Sequence, residues 1–391
     1  MNAASADDVR FMRAALDAAR LGEGGTRPNP PVGAALVSPD GRLLATGFHA
    51  RAGGPHAEIA CLRAAPAGAA RGATIYVTLE PCSTTGRTGP CTEALIAAGV
   101  RRVVCAATDA NPAHAGRGFA ILRAAGVEVT EGVLREEAEE TLAPFFKRTT
   151  TGMPRLTLKM AQSLDGGTAD HAGVSKWITG PDARAEVQSM RRRADVVLVG
   201  SGTVLADDPS LLRRDVPPSF TGLPGLRAVL DARGRIPPTA RLFSDGHAAE
   251  TIVLTSLRLC PPERIEEWRA AGAQVLDVPP AFPVGTQGSR GDRPAPALDL
   301  RAALRALADL GAMSVLCEGG ATLASALLSE GLVDELALFV APLVLGAGSR
   351  GTFGAVPFDL PTAPRFVLRS TELFGRDLLL RLAPESAEAR R

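Results

Sequence analysis

The chain has 391 residues, 46% of them hydrophobic and 22% charged, which is enough for two or three domains with buried cores. Lys and Arg total 43 against 42 Asp and Glu, so the formal net charge of +1 gives no electrostatic case for nucleic acid or a membrane surface. Six cysteines in so long a chain do not form a disulfide framework. Without a signal-peptide pattern or a stretch of ~20 apolar residues, we expect a cytoplasmic protein that acts on a small soluble substrate.

The first third of the sequence alternates between helix-like and strand-like segments. An Ala-rich helix extends to Arg20, strands are predicted at 32–37, 74–79, 103–104 and 127–129, and helices are predicted to begin near His56 and Cys91. This alternation predicts an α/β sandwich around a central sheet. The polar, Thr-rich residues 147–153, which end in Gly and Pro, are predicted to mark a domain boundary.

A second alternation follows that boundary. Strands are predicted at 156–160, 196–199, 228–230, 252–254, 315–316 and 336–340, and helices at 181–193, 263–270, 300–310 and 323–328. The pattern predicts another α/β domain with a mostly parallel sheet. Residues 279–296 are rich in Pro, Gly and Arg and are predicted to form a surface loop without chemistry.

Four residues in the first half have the spacing of a catalytic metal centre. His56 and Glu58 are two residues apart, Cys82 follows a proline at the end of a predicted strand, and Cys91 comes after an eight-residue gap. One imidazole and two thiolates hold a tetrahedral zinc and leave the fourth position to water. Glu58 is then predicted to carry protons for that water, as in hydrolytic deaminases.

Two conditions accompany this prediction. Residues two apart on a regular helix point away from each other, so His56 and Glu58 share a site only if His56 lies at the frayed first turn. A structural zinc would instead have a fourth protein ligand, and only the distant His114 or Cys105 could supply one.

In the second half, the strongest chemical signal is a predicted strand, a double glycine at Gly319-Gly320 and a helix start. Such a turn lets a phosphate approach the backbone and the helix N-terminus. An ordinary tight turn is the alternative. The turn lacks the Gly-x-Gly-x-x-Gly fingerprint, which argues against a standard Rossmann site. The motifs 163–166 and 203–209 follow other predicted strands, where ligands bind in open α/β sheets.

These motifs together resemble the bifunctional riboflavin-biosynthesis deaminase-reductases, and the resemblance covers nearly the whole chain. It depends on segments 28–33, 55–58, 78–82 and 86–88 in the first half and on Lys159, 163–166, 177–179, 203–209 and 318–320 in the second. It implies a zinc-dependent, cytidine-deaminase-like three-layer sandwich over residues 1–148 and an NADPH-dependent, dihydrofolate-reductase-like α/β domain over 153–391. One departure is visible, because the family commonly has His after Pro81-Cys82-Ser83 where this chain has Thr84-Thr85.

The implied activity is two consecutive steps on one phosphorylated intermediate. The first domain would remove an amine from a diamino-ribosylaminopyrimidinone 5′-phosphate, and the second would reduce the ribosyl group to ribityl. Asn29, between prolines, is a candidate reader of the pyrimidine edge or simply a turn residue. His49 and Arg87 are candidates for sugar or phosphate contacts, although Arg87 could equally be a solvated side chain.

The resemblance also implies a site in the second domain. Its cofactor-lining residues would be Ala161, Trp177, Thr203, Asp207, Gly320, Ala321, Thr322, Leu323, Ala324, Ser325 and Ala326. Its substrate-lining residues would be Ser175, Arg191, Leu211, Arg214 and Glu318. Arg191 and Arg214 are the predicted phosphate partners, and Lys159 is the candidate for proton transfer.

Two rival functions remain at this stage. A nucleic-acid deaminase with a C-terminal binding module would share the zinc motif, but the neutral charge balance and the lack of a basic, aromatic-interleaved stretch argue against it. A degenerate binding protein without activity is disfavoured because all four metal-centre residues are intact. The sequence leaves open whether the chain forms a homo-oligomer.

Overall fold

A computed structural model describes residues 5–84, 89–214, 216, 225–281, 297–353 and 357–385. Within these residues the chain divides into two compact units, one up to Met153 and the other from Pro154. None of the described helices combines the length and the apolar character needed to cross a membrane.

The first unit is a five-stranded sheet between two helical layers. Its elements in chain order are α1 (Ala6–Arg20), β1 (Gly33–Val37), β2 (Leu43–Phe48), α2 (Ala57–Ala64), β3 (Thr74–Leu79), α3 (Cys91–Ala97), β4 (Arg102–Ala107), α4 (Arg117–Ala124), β5 (Glu128–Glu131) and α5 (Arg135–Thr151). The strand order is β2-β1-β3-β4-β5, with β3, β4 and β5 parallel and β1 antiparallel to both its neighbours. Alternate strand residues pack against α1 and α5 on one face and against α2, α3 and α4 on the other. The predicted three-layer sandwich is confirmed.

Helix α1 is tied to the sheet by a buried carboxylate. Asp8 completes a capping box with Ser5, and its two carboxylate oxygens accept hydrogen bonds from Arg102 at 2.9 and 3.1 Å and from the Tyr76 hydroxyl at 3.0 Å. Burial alone would raise the pKa of Asp8, but these hydrogen bonds hold it below its usual value. The ionised form therefore stabilises the first unit.

Replacing Asp8 with Asn should lower the free energy of unfolding of the first unit by about 2 kcal/mol, because a charge-assisted pair becomes a neutral contact. The depressed pKa of Asp8 gives stability that is complete above the unfolded-state pKa and is lost as the pH falls through the folded-state value. The difference between wild type and Asp8→Asn should therefore shrink in acid. Urea unfolding curves, recorded with zinc release as the signal, measure this effect. Tryptophan fluorescence is the control, since Trp177 and Trp268 both lie in the second unit.

Strand β2 and helices α4 and α5 of this unit were not predicted from the sequence. Helix α5 is rich in charged residues and contains Pro144, so its apolar periodicity is weak, although Ala138 and Leu142 are buried against the sheet. The Thr-rich stretch predicted as a boundary is helical to Thr151, and the helix ends at Gly152, whose φ of 70° suits a left-handed C-cap.

The second unit is built on a nine-stranded sheet. Its elements are β6 (Arg155–Ser163), β7 (Gly167–Ala169), α6 (Pro181–Arg193), β8 (Val196–Gly200), α7 (Ser201–Asp207), β9 (Leu226–Leu230), α8 (Arg241–Ser244), β10 (Thr251–Thr255), α9 (Pro262–Ala270), β11 (Gln274–Asp277), β12 (Pro280–Ala281), β13 (Ala297–Leu298), α10 (Leu300–Asp309), β14 (Ser314–Cys317), α11 (Ala321–Ser329), β15 (Glu335–Ala341), β16 (Arg350–Gly351), β17 (Phe366–Phe374) and β18 (Asp377–Pro384). The order in the large sheet is β11-β10-β9-β8-β14-β6-β15-β18-β17.

Seven of these strands, from β11 to β15, are parallel, and β18 and β17 add an antiparallel edge. The predicted α/β fold is confirmed, whereas β17 and β18 were missed. The short strands β12 and β13 pair with each other at the ends of the Pro-rich segment, whose residues 282–296 lie outside the described residues. Because the carboxyl ends of parallel strands meet at one edge, the exits of β6, β8, β9 and β14 define the site.

Candidate functional site

The three predicted metal ligands come together in the first unit. His56 is the N-cap of α2, with φ −67° and ψ 163°, so it lies outside the regular helix as the motif required. Cys91 is the first residue of α3, and Cys82 follows β3. The Nδ1 atom of His56 is 3.4 Å from the Cys82 Sγ and 3.3 Å from the Cys91 Sγ, and all three ligand atoms lie within 4.8 Å of one another.

This geometry fits a zinc ion. With usual Zn–N and Zn–S lengths, a tetrahedral ion holds a nitrogen and a sulfur about 3.5 Å apart. Hydrogen bonding with Cys91 and His56 lowers the pKa of Cys82 to about 4 against the effect of burial, whereas hydrogen bonding with Cys82 raises the pKa of Cys91. The lowered pKa of Cys82 favours its thiolate form, which is the form that binds a divalent cation. Within the described residues no fourth side chain joins this group, and Cys105 instead contacts the Ala107 carbonyl.

Glu58 lies beside the three ligands at the start of α2. Its side chain is buried, and burial raises the pKa of Glu58 to about 7. A carboxyl group with that pKa can gain and lose a proton near neutral pH, which suits general acid-base catalysis.

Asn29 and His49 form a hydrogen-bonded pair next to the metal ligands. The Asn29 Nδ2 atom is 3.0 Å from the His49 Nε2, and the His49 Nδ1 is 2.9 Å from the Pro55 carbonyl oxygen. The rings of His49 and His56 meet edge to face at 5.5 Å between centroids. Burial lowers the pKa of His49. Arg87 lies outside the described residues, as does Thr85 of the loop that departs from the family pattern.

Glu80 supports the segment that carries Cys82, a role that was not predicted from the sequence. This buried carboxylate accepts three backbone hydrogen bonds, from Asp109 at 3.2 Å, Gly116 at 2.9 Å and Gly118 at 2.9 Å. A Cβ atom at Gly118 would lie 2.3 Å from the Pro81 carbonyl oxygen, so glycine is required there. A Glu immediately before Pro-Cys was the available signal.

Replacing Glu80 with Gln should weaken zinc binding about 10-fold, because the amide has one acceptor oxygen where the carboxylate has two. Competition with a chromogenic chelator measures the affinity. Glu93→Gln, which removes a carboxylate from the exposed side of α3, is the matched control and should bind zinc as the wild type does. Equal affinities for the wild type and Glu80→Gln would contradict the supporting role.

The second unit contains a cleft of about 1420 Å³ at the strand exits. Most of the predicted residues line it: Lys159, Ala161, Ser175, Trp177, Arg191, Thr203, Asp207, Leu211, Arg214, Glu318, Gly320, Ala321, Thr322, Leu323 and Ala326. Ala324 and Ser325 do not, since both are fully buried in α11. Nine Lys and Arg side chains line the cleft against four Asp and Glu, so it suits an anionic dinucleotide and a phosphorylated substrate.

A largely buried ion pair lines the cleft. Arg191 donates from Nε and Nη2 to the two carboxylate oxygens of Glu318, at 2.6 and 3.0 Å. Burial would raise the pKa of Glu318, but Arg191 lowers it, and so to a smaller degree does Lys159. Burial lowers the pKa of Lys159, whose Nζ lies 5.9 Å from the centre of the Phe339 ring. Arg191 is thus engaged with Glu318, while Arg214 is exposed.

The predicted cofactor turn has room for a ligand. Gly320 is the N-cap of α11, and a Cβ atom there would be 3.5 Å from the Thr203 hydroxyl of α7. Ser175 and Lys176 hydrogen-bond to Asp207 at the end of α7, and Trp177 is 70% exposed with Arg184 stacked on its ring. The open helix start and the neighbouring hydroxyl fit a pyrophosphate group.

Arg227 is a second supporting residue that was missed. It is 1% exposed in β9 and donates to Asp245 at 2.6 Å and to the Ser210 carbonyl at 2.8 Å. Leu211, which follows Ser210 in the chain, has a left-handed φ of 53°. Arg227 therefore fixes the backbone from which Leu211 enters the cleft.

Comparison with known proteins gives two family matches. The description "Cytidine and deoxycytidylate deaminase zinc-binding region" matches residues 5–107, and "RibD C-terminal domain" matches residues 154–380. The second match covers more than half of the chain.

Relatives that match nearly the whole chain support the same family. The riboflavin biosynthesis protein RibD of Escherichia coli K12 is 40% identical over 385 residues, covering 96% of this chain and 99% of the relative. The solved structure of Acinetobacter baumannii RibD has a TM-score of 0.82 at 39% identity, covering 97% and 99%. A Thermotoga maritima structure, described as a diaminohydroxyphosphoribosylaminopyrimidine deaminase and 5-amino-6-(5-phosphoribosylamino)uracil reductase, has a TM-score of 0.80 at 35% identity, covering 96% and 98%.

The fold, the metal centre and the cleft define a bifunctional enzyme in which a zinc-dependent pyrimidine deaminase precedes an NADPH-dependent pyrimidine reductase. The chain belongs to the RibD family of riboflavin biosynthesis proteins. The match of the second half to a reductase domain favours this function over a nucleic-acid deaminase with a binding module.

Proposed function

We propose that the enzyme hydrolyses an amine from the diamino-ribosylaminopyrimidinone 5′-phosphate within residues 1–148 and then reduces the ribosyl group to ribityl within residues 153–391. His56, Cys82 and Cys91 would hold zinc. The observation that carries the proposal is the buried Glu58 beside a His/Cys/Cys ligand set whose spacing fits that ion.

The deaminase step is a substitution at the aminated ring carbon. Bound zinc would lower the pKa of its water ligand, so that hydroxide is available near neutral pH. Glu58 takes one proton from the water and delivers it to the adjacent ring nitrogen while the C–O bond forms. It then takes the remaining proton from the new hydroxyl and gives it to the amine as the C–N bond breaks. Ammonia leaves, and a carbonyl remains. Because its pKa is about 7, Glu58 can act as a base toward the water and as an acid toward the ring nitrogen and the amine.

The reductase step acts on the sugar carbon that bears the nitrogen. Opening of the ribosyl ring breaks the C1′–O4′ bond and moves the proton of the nitrogen to O4′. The resulting C1′=N imine needs one hydride at carbon and one proton at nitrogen. Bound NADPH supplies the hydride. Lys159 holds the proton for the nitrogen, and the Arg191–Glu318 pair orients the substrate beside it. Exposed Arg214 and the less exposed Arg191, which both line the cleft, would be the phosphate contacts.

The proposed ligands are small molecules. The balanced charge and the cleft dimensions support a phosphorylated pyrimidine, without nucleic acid or membrane, acting in the cytoplasm. Whether identical chains associate is tested by light scattering.

A coupled assay tests the two steps together. Zinc-loaded protein is given the diaminopyrimidinone ribosyl phosphate and NADPH, and ammonia release and NADPH oxidation are followed in parallel. We expect equal amounts of both. Ammonia without NADPH consumption would contradict the reductase assignment, and the absence of both would contradict the proposed substrate.

A further inference from the structure

We propose that Arg184 makes the second unit bind reduced nicotinamide in preference to oxidised nicotinamide. Its guanidinium lies against one face of the Trp177 ring, and the nicotinamide of the cofactor stacks on the opposite face. The inference rests on the proposed function, in which NADPH binds in this cleft. It deepens that function by naming a residue that discriminates between the two forms of the cofactor.

The guanidinium of Arg184 is held in place on the indole. Its Cζ lies 4.5 Å from the centre of the Trp177 ring, which is within the range of a cation–π contact. Its Nη1 donates to the Thr179 carbonyl at 2.7 Å, and both Arg184 and Trp177 line the cleft. Because arginine stays protonated in proteins, this contact places a permanent positive charge behind the indole.

The other face of the Trp177 ring is open. The residue is 70% exposed, and a ring packed on both faces could not expose so large a fraction of its surface. Aromatic side chains that line a ligand cleft bury their apolar faces against the ligand. Trp177 therefore presents one free face on which a planar ring can stack.

The position of Trp177 selects the nicotinamide as that ring. The segment before it is attached to the end of α7, since Lys176 donates to the Asp207 carbonyl at 3.2 Å and Ser175 to the Asp207 carboxylate at 3.4 Å. Ser175 is a predicted substrate contact, and Arg191 lies about two turns after Arg184 on α6. Trp177 is thus near the substrate end of the cleft, where the hydride donor has to be.

The charge of the nicotinamide changes during the reaction. The ring is neutral in NADPH and positive in NADP⁺, because the hydride leaves with both electrons of its bond. A guanidinium on the far face of the same indole repels the positive ring and leaves the neutral one unaffected. At a separation of about 8 Å, such repulsion between two charges, partly screened by salt, is equivalent to a factor of about three in affinity. Arg184 therefore favours entry of the reduced cofactor and release of the oxidised one.

The test measures the dissociation constants of NADPH and NADP⁺ for the zinc-loaded full-length protein. Energy transfer from tryptophan to the reduced nicotinamide reports NADPH binding, and displacement of NADPH reports NADP⁺. Arg184→Met keeps most of the side-chain length and removes the charge, so the ratio of the NADP⁺ constant to the NADPH constant should fall about threefold. Arg184→Lys retains the charge and should stay close to the wild-type ratio.

Two further variants separate charge from structure. Arg241→Met removes another cation that lines the same cleft, so it should weaken both forms alike and leave the ratio unchanged. Arg184→Gln is the second neutral variant if Arg184→Met does not fold, and its amide can still donate to the Thr179 carbonyl.

A wild-type ratio in the neutral Arg184 variants would overturn the inference, and so would an equal fall in Arg241→Met. Stacking of the adenine on Trp177 would also leave the ratio unchanged, because adenine has the same charge in both forms. Failure of the proposed function would look different, since the wild type would then oxidise no NADPH with the deaminated intermediate.

Discussion

Glu58→Gln is expected to lower the rate of ammonia release by about 10³-fold, since general acid-base groups typically contribute 10² to 10⁴. The amide keeps the size of the side chain but cannot carry a proton between water, ring nitrogen and leaving amine. Burial already places the pKa of the carboxyl near 7, so the wild type has both protonation states available at neutral pH. Initial rates of ammonia release at saturating substrate measure the effect.

Zinc content and the second activity are the controls for Glu58→Gln. Glu58 is not one of the three ligands, so the variant should contain zinc as the wild type does. Reduction of the deaminated intermediate should proceed at the wild-type rate, because that chemistry belongs to the other unit. Ammonia release within a few-fold of wild type, with full zinc content, would refute the role of Glu58.

Lys159→Met should lower the reductase rate by about 10²-fold, while ammonia release and NADPH affinity stay close to wild type. Methionine keeps most of the length of the side chain and removes the transferable proton. The Arg191–Glu318 pair remains intact in this variant, so the cleft should keep its shape. Single-turnover oxidation of bound NADPH by the deaminated intermediate separates the chemical step from binding.

The pH profile distinguishes proton transfer by Lys159 from a purely structural role. Burial lowers the pKa of Lys159, so its ammonium form should be lost at a lower pH than for an exposed lysine. Because the acid form is the active one, the wild-type reductase rate should fall as the pH rises through that pKa. Lys159→Met should lack this limb. A variant with the full reductase rate would exclude Lys159 from the proton path.

Local signals in the sequence predicted most of the elements that carry the sites. The β-branched run at 74–79 and the helix at 181–193 have the predicted bounds, because apolar periodicity and a proline at the helix start are properties of short segments. Cys61, Cys105, Cys260 and Cys317 are buried, as the apolar residues around each of them in the sequence favour.

Other features depend on partners that are distant in sequence. The Arg191–Glu318 pair joins residues 127 positions apart, and Asn29 meets His49 across 20 positions. Strand β17 is largely exposed and lacks a strong apolar alternation, so its place in the sheet follows from pairing with β18. Such long-range contacts are not encoded in local propensity.

The position of β18 has a consequence for synthesis of the protein. All five strands of the first sheet lie between Gly33 and Glu131, so that sheet can assemble while the ribosome is still translating later codons. Strand β18, near the end of the chain, lies between β15 and β17, and its Asp377 accepts a hydrogen bond at 2.6 Å from Gly180 at the start of the helix that carries Arg191. The nascent enzyme should therefore acquire its metal centre early, and its reductase cleft only after β18 has left the exit tunnel.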